Sequence, residues 1–232
     1  MTQNALIIFI KIPVPGHVKT RLQPQITQEE AARIYHGFIL DLHQRFGTHA
    51  SFDCWYAVAS ENFNRDILNQ ILGTVKFFVQ ENGDIGKRMS HAFEEIFNSG
   101  YNHAVLVGSD IPHLPLSSVL DSFEQLEFND VILGPSDDGG YYLVGLNKPI
   151  PALFSDLTWS NDQVFDHTLK KVEQHHLKSY LLKQLSDIDD YHSLKKVYLQ
   201  LQGAEKSSPD FPNTTWHHLK KLFKSGTNRI KL

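Results

Sequence analysis

The strongest constraint on the fold is a regular alternation of short apolar runs with longer amphipathic segments. Continuous runs of this kind are typical of strands covered on both faces. One segment between them, residues 27–46, opens with the capping-box pattern Thr27-Gln-Glu-Glu and continues with helical apolar spacing. The alternation predicts an α/β fold with a mostly parallel central sheet and helices on both faces. The predicted strands are residues 5–10, 52–58, 75–79, 104–107 and 131–133, with 141–144 as a candidate sixth.

The last third of the chain has a different character. After Asp162 the pattern becomes helical, and a polar break at residues 202–212 precedes a final basic helix. Residues 202–232 carry a local charge of +4, including Arg229 and Lys231, so the first 201 residues carry −8. We therefore expect one α/β domain over 1–201 and a basic helical extension over 202–232. Trp216 and Leu219 share one face of the last helix, which suits packing on its own domain better than membrane contact.

The composition excludes several classes of protein. The single cysteine among 232 residues cannot form an internal disulfide, so a reducing cytoplasm is the expected compartment. The first apolar run is far shorter than the roughly 20 residues of a membrane span. The net charge of −4 provides no general attraction to nucleic acid.

Ligands in open α/β sheets bind beyond the carboxyl ends of the strands, so the loops after the apolar runs are the candidate sites. The first loop places three cations, Lys11, Lys19 and Arg21, within eleven residues around Gly16, where a polyphosphate could accept charge-assisted hydrogen bonds. The loop lacks the second glycine of a Walker A motif and the chain lacks a Rossmann glycine pattern. A solvated basic loop is the alternative interpretation.

Two further loops add candidate ligands. Gly83 and Arg88 flank a predicted helix start, which suits an anion, although a plain strand-to-helix turn has the same pattern. Asp110 directly follows a predicted central strand, where a carboxylate calls for a cation such as Mg²⁺ or Mn²⁺. A cap on the helix that begins near Pro115 is the alternative role for Asp110.

The most informative stretch is Gly134-Pro-Ser-Asp-Asp-Gly-Gly-Tyr-Tyr-Leu143. Its adjacent carboxylates, Asp137 and Asp138, point to opposite faces of an extended chain, so one of them is expected to face a site. Downstream, Trp159 is either a stacking surface for a sugar or base or a core residue. Asp187 and Asp189 are either second metal ligands or caps of the helix that begins at Tyr191.

Together these motifs resemble a bacterial family of GT-A-like transferases, the radical-SAM/selenodomain-associated transferase 1 type, of which some members are labelled arsenosugar-biosynthesis glycosyltransferases. The resemblance runs from about residue 5 to 168 and excludes the tail. Its motifs are Lys11-x-Pro-x-Pro-Gly-x-Val-Lys-Thr-Arg-Leu22, Gly83-Asp-x-Gly-x-Arg-Met89, Gly108-x-Asp-x-Pro112 and Gly134-Pro-x-x-Asp-Gly-Gly-Tyr-Tyr-Leu143. The family is similar to the molybdenum-cofactor and phospholactate guanylyltransferases, which have a nucleotide-diphospho-sugar transferase fold.

The resemblance implies a metal-dependent enzyme that transfers a glycosyl group from a nucleotide sugar to a small acceptor. Nucleotidyl transfer from a nucleoside triphosphate and non-catalytic nucleotide-sugar binding are the alternatives, and a homo-oligomer is compatible with the sequence. By resemblance, Lys11, Lys19 and Arg21 hold phosphates and Asp110 holds the metal. One departure is that Ser109-Asp110 replaces the D-x-D of many GT-A enzymes, leaving one carboxylate where two are usual. The implied acceptor side is Asp138, Gly139 and Gly140, next to Tyr141 and Trp159, with Asp138 or Asp137 as the catalytic base.

Overall fold

The computed structural model describes residues 3–23, 25–159 and 162–226 of the chain. Arg229 and Lys231 of the basic tail lie outside the described residues. A seven-stranded sheet forms the centre, and its strands are β1 (Asn4–Ile10), β2 (Asp53–Val58), β3 (Lys76–Val79), β4 (His103–Gly108), β5 (Val131–Pro135), β6 (Tyr141–Leu146) and β7 (Ser179–Leu181). Their order across the sheet is β3-β2-β1-β4-β6-β5-β7.

All strand pairs are parallel except those made by β6, which runs antiparallel to both β4 and β5. The predicted mostly parallel α/β sheet is therefore confirmed, as is the candidate sixth strand. The sequence pattern missed β7, because this strand has three residues, lies at the sheet edge and exposes Ser179 and Leu181. An edge strand of that length needs no apolar run.

Seven helices cover the two faces of the sheet in the described part of the chain. They are α1 (Gln28–Phe46), α2 (Arg65–Leu72), α3 (Ile85–Asn98), α4 (Leu116–Gln125), α5 (Val164–Gln174), α6 (Tyr191–Gly203) and α7 (Asn213–Gly226). One face carries α1, α2, α4, α6 and α7, whose apolar residues share a cluster with Leu6 and Ile8 of β1. The other face carries α3 and α5, which pack on Ala5 and Ile7 of the same strand.

Local sequence signals explain where several helices begin. Thr27 caps α1 in a reciprocal capping box with Glu30, as the sequence predicts. Asp84 caps α3 by accepting a hydrogen bond from the Lys87 amide at 2.9 Å. Asp190 caps α6, so the prediction that Asp187 or Asp189 performs this role is wrong. A capping side chain must stand directly before the first helical residue, and of the three aspartates only Asp190 does so.

The final helix is part of the core. Trp216 and Leu219 of α7 are buried in the cluster that also contains α1 and α6. Tyr198 of α6 stacks on Trp216 with ring centroids 5.5 Å apart. The apolar face that raised the question of a membrane surface is thus covered by the chain itself. No helix in residues 3–23, 25–159 and 162–226 is long and apolar enough to cross a bilayer.

Candidate functional site

A cavity of about 440 Å³ opens at the carboxyl ends of β1 and β4, between the first loop and the start of α3. This is the position at which open α/β sheets bind ligands. The cavity is lined by both apolar side chains, such as Phe9 and Leu106, and charged ones. Seven residues singled out from the sequence meet here: Lys11, Lys19, Arg21, Arg88, Asp110, Tyr141 and Asp189.

The first loop, residues 11–22, folds back toward the cavity through two left-handed residues. Gly16 has a φ of 80°, and a side chain there would approach Gln28 of α1 to within 2.9 Å. Lys19 has a φ of 49° and a ψ of 41°, a conformation that costs a non-glycine residue free energy. The strained backbone at Lys19 directs its side chain inward.

The Lys19 ammonium joins three segments of the chain. Its side chain is only 5% exposed, and its Nζ lies 2.8 Å from an Asp110 carboxylate oxygen. It also donates a hydrogen bond to the carbonyl of Ile188. A buried ammonium requires partners of this kind, since an unpaired buried charge is strongly unfavourable. Lys19 thus holds Asp110 in place.

Arg21 lies at the exposed rim of the same cavity. Its guanidinium pairs with the Asp189 carboxylate, and both side chains are substantially exposed, at 70% and 41%. Exposed ion pairs contribute only about 0–1 kcal/mol. Arg21 can therefore exchange Asp189 for a ligand phosphate at little cost in free energy.

The segment 182–190, which links β7 to α6, crosses the carboxyl ends of β4 and β5. The amide of Leu185 donates to the Pro135 carbonyl at 3.1 Å, and the amide of Ile188 donates to the Asp110 carbonyl at 2.9 Å. Ile188 itself is fully buried. We call residues 182–190 the crossing segment. It brings Asp187 and Asp189 beside Asp110, although about 80 residues separate them in the sequence.

The adjacent carboxylates Asp137 and Asp138 have different surroundings. Asp137 accepts hydrogen bonds from Lys196 at 2.8 Å, from Gln184 at 3.0 Å and from Ser186. The hydrogen bond from Lys196, followed by that from Ser186, lowers the pKa of Asp137 below its usual range. This network anchors the crossing segment to the β5–β6 loop, so the observed role of Asp137 is to hold these two segments together.

Asp138 belongs instead to the tight turn before β6. It accepts hydrogen bonds from the Gly140 amide at 3.0 Å and from the Ser136 hydroxyl. Gly139 has a φ of 85°, and a side chain there would collide with the backbone of Asp162. These glycines let the chain reverse and start β6, whose first residue, Tyr141, lines the cavity.

Four carboxylates are close enough to interact electrostatically. Burial, followed by the charges of Asp138 and Asp110, raises the pKa of Asp187 to about 6, with a smaller contribution from Asp189. We call Asp110, Asp138, Asp187 and Asp189 the acidic edge. The negative charge of the acidic edge repels an anionic ligand in the cavity unless a cation is bound between them.

The acidic edge fits a divalent cation by its chemistry, because carboxylate oxygens are the donors that Mg²⁺ and Mn²⁺ prefer. In the described residues no three His, Cys, Asp or Glu side chains converge into a ligand set. Mg²⁺ usually keeps several waters and binds through one or two carboxylates plus substrate phosphates. Asp110, which is 42% exposed, and its neighbours on the acidic edge can supply such ligands.

Arg88 lines the cavity but is already bound to neighbouring groups. Its Nε donates to the Gly83 carbonyl at 3.0 Å, and its terminal nitrogen lies 2.8 Å from a Glu61 oxygen. Gly83, with a φ of 144°, lets the loop turn into α3. Arg88 and Gly83 therefore form the strand-to-helix turn that the sequence offered as an alternative, with the guanidinium still facing the cavity.

Trp159 lies apart from this cavity. Its indole packs against Gly86 of α3, where a side chain would approach the ring to 2.6 Å. It lines a second cavity of about 480 Å³ together with Phe154 and Lys87. The observed packing matches the core interpretation, and the structure does not bring Trp159 to the other candidate site residues.

Sequence reasoning missed several polar residues of the cavity wall, among them Tyr35, Ser109 and Gln80. Tyr35 and Ser109 are joined by a 2.7 Å hydrogen bond between their hydroxyls. Gln80, buried at the end of β3, donates to the Ala57 carbonyl at 2.7 Å. The helical apolar spacing of α1 assigned Tyr35 to the core, which hid its hydroxyl. The sequence signal for Ser109 was its place beside Asp110.

The sequence of the chain matches a known bacterial family. Residues 45–161, just over half of the chain, match the family described as "Uncharacterized protein conserved in bacteria (DUF2064)". The chain belongs to this family. No curated protein matches the sequence.

Solved structures share the fold of this DUF2064 protein. A "putative nucleotide-diphospho-sugar transferase" from Desulfovibrio desulfuricans G20 is 29% identical, with a TM-score of 0.89 over 97% of this chain and 98% of its own. A cytidylyltransferase from Leptospira borgpetersenii serovar Hardjo-bovis is 12% identical, with a TM-score of 0.58 over 98% and 96% of the two chains. A CMP:2-keto-3-deoxy-manno-octonic acid synthetase complexed with CTP is 12% identical, with a TM-score of 0.52 over 87% and 99%. The two more distant likenesses concern the fold alone.

Proposed function

We propose that this protein is a metal-dependent transferase that moves a glycosyl group from a nucleotide sugar to a small acceptor. The observation that carries the proposal is the cavity at the strand ends, which is lined both by cations, namely Lys11, Arg21 and Arg88, and by Asp110 and Asp189 of the acidic edge. The full-length likeness to the D. desulfuricans protein, described as a "putative nucleotide-diphospho-sugar transferase", supports the substrate class.

The cationic side suits the diphosphate of the donor. Lys11 and Arg21 are exposed on the first loop beside Gly16, and Arg88 faces the cavity from the turn at Gly83. Charge-assisted hydrogen bonds to phosphate oxygens are stronger than neutral ones. In this proposal these cations bind the diphosphate, and Lys19 positions Asp110.

The acidic side suits a metal and an acceptor. Asp110, with Asp187 or Asp189, would hold Mg²⁺ or Mn²⁺, which when bound neutralises charge on the leaving phosphate. Asp138 accepts the proton of the acceptor hydroxyl, and Gly139, Gly140 and Tyr141 form the acceptor wall. Asp137 takes no part in proton transfer, because Lys196, Gln184 and Ser186 already occupy its oxygens. The radical-SAM-associated subtype remains part of the proposal.

The proposal is tested by which product the purified protein releases. With Mn²⁺ and a panel of nucleotide sugars, we expect slow release of nucleoside diphosphate, because water replaces a missing acceptor when the donor is activated. With nucleoside triphosphates and a panel of sugar 1-phosphates, we expect no pyrophosphate. Asp138→Asn is the matched variant, since asparagine keeps the hydrogen bond from Gly140 but is a far weaker base.

Each outcome separates the candidate reactions. Pyrophosphate release from the nucleoside triphosphates would contradict glycosyl transfer and would support nucleotidyl transfer as the reaction. Nucleotide-sugar binding without either product, unaffected by chelator, would instead support a non-catalytic binding protein.

A further inference from the structure

Tyr35 of α1 reaches the point where β1 and β4 separate to open the cavity. Its hydroxyl accepts a hydrogen bond from the Lys11 amide at 2.9 Å and lies 2.7 Å from the Ser109 hydroxyl. The Tyr35 and Ser109 side chains are almost fully buried. One phenol oxygen therefore connects the first residue of the first loop to the residue before Asp110.

The sheet register explains why such a connection is needed. β1 and β4 are paired in parallel as far as Phe9 and Gly108. Beyond that pair the two chains diverge, and the Lys11 amide leaves the strand ladder. An amide without a partner is costly in this partly buried position, and the Tyr35 hydroxyl accepts the hydrogen bond of the Lys11 amide there.

The surroundings of Tyr35 keep its hydroxyl protonated. Burial, with a further contribution from the charge of Asp110, raises the pKa of Tyr35 above its ordinary value. The phenol therefore exchanges no proton with substrate at neutral pH. It remains a donor and acceptor whose geometry is fixed by the packing of its ring, which contacts Phe38 edge-on at a centroid distance of 6.2 Å.

We propose that Tyr35 is a positioning residue that sets the separation between the first loop and the Asp110 loop, and thereby the mouth of the phosphate site. The inference rests on the proposed function in one respect, namely that these two loops receive the diphosphate and its metal. Tyr35 acts through the Lys11 amide and the Ser109 hydroxyl, and both Lys11 and Asp110, the residue after Ser109, line the cavity.

Tyr35→Phe removes the hydroxyl and retains the ring. Calorimetry with inorganic pyrophosphate and Mg²⁺ should show an affinity loss of roughly tenfold, the usual effect of losing one hydrogen bond. Amide hydrogen exchange should accelerate by roughly tenfold at Lys11, because its partner is gone. The pH profile of pyrophosphate binding should keep its shape, because Tyr35 does not titrate.

Tyr101→Phe is the matched control. The Tyr101 hydroxyl makes three side-chain hydrogen bonds, to Asp53 at 2.7 Å, from Trp55 at 3.1 Å and from Lys76 at 3.2 Å, but it lies at the opposite end of the sheet. We expect this variant to leave pyrophosphate affinity and Lys11 exchange unchanged. Ser109→Ala is a second variant, which leaves the Lys11 amide bonded and so should affect pyrophosphate binding without accelerating exchange at Lys11.

The two measurements fail independently. Unchanged Lys11 exchange in a folded Tyr35→Phe protein would overturn the positioning role, as would faster exchange with unchanged pyrophosphate affinity. If the unmodified protein binds no pyrophosphate, the proposed function fails at the phosphate site. In that case the exchange rates at Lys11 and Asp110 still decide whether Tyr35 fixes the two loops.

Discussion

At the scale of single residues, the Lys19–Asp110 pair is asymmetric. The Lys19 side chain is 5% exposed, whereas that of Asp110 is 42% exposed. Removing the Asp110 carboxylate leaves the buried Lys19 ammonium without its charged partner. Removing the ammonium leaves a carboxylate that water can reach. The two halves of one ion pair should therefore differ in their importance to stability.

We expect Asp110→Asn to lower the free energy of unfolding by about 2 kcal/mol and Lys19→Met by about 1 kcal/mol. The double variant should lose less than the sum, because neither charge is then left alone. Urea denaturation measures all three values. Arg21→Met is the control from the exposed pair with Asp189, with an expected loss below about 1 kcal/mol. Equal losses for both members of the Lys19–Asp110 pair would contradict the asymmetry.

At the scale of secondary-structure elements, α7 is fixed to α1 by a buried cap. The Asp41 carboxylate accepts hydrogen bonds from the amides of Thr214 at 2.8 Å and Thr215 at 2.7 Å. Asp41 is only 3% exposed, so these first-turn amides are its main compensation for burial. The cap joins elements that are more than 170 residues apart in the chain.

Asp41→Ala should therefore lower the free energy of unfolding by about 2 kcal/mol, the upper end of the range for a lost helix cap. The matched control is Glu124→Ala, an exposed acidic residue in α4, which should change stability by less than about 0.5 kcal/mol. Chemical denaturation followed by circular dichroism gives both values. A loss at Asp41 no larger than at Glu124 would show that packing alone holds α7.

At the scale of the whole molecule, ligand binding should raise the Tm of the protein. A ligand that binds only the folded chain at one hundred times its dissociation constant adds about 2.7 kcal/mol. For a chain of this length that corresponds to a shift in Tm of roughly 5–10 °C. We expect this shift for one nucleoside diphosphate with Mn²⁺, a smaller one after chelation with EDTA, and none for the nucleoside. Equal shifts with and without metal would argue against the role of the acidic edge.

The same scale shows what the sequence could and could not predict. The buried strands and the loops at their carboxyl ends were predictable, because apolar runs and glycine turns are local signals. The pairing of Lys19 with Asp110 was not, since its partners are 91 positions apart and each separately suited a ligand. Tyr35 was hidden for a different reason, because a tyrosine on the inner face of α1 has the same spacing whether or not its hydroxyl is used.

The crossing segment has a consequence for the order in which the molecule matures. It contributes Ile188 and Asp189, which contact Lys19 and Arg21 of the first loop from 169 and 168 residues further along the chain. During synthesis at about 5–20 residues per second, the first loop therefore waits roughly 8 to 34 seconds for these partners. Until they emerge from the ribosome, Lys19 lacks its contact with Ile188 and Arg21 lacks its contact with Asp189. The lining of the cavity, which includes Asp189, is thus completed late in translation, well after the first strands have been made.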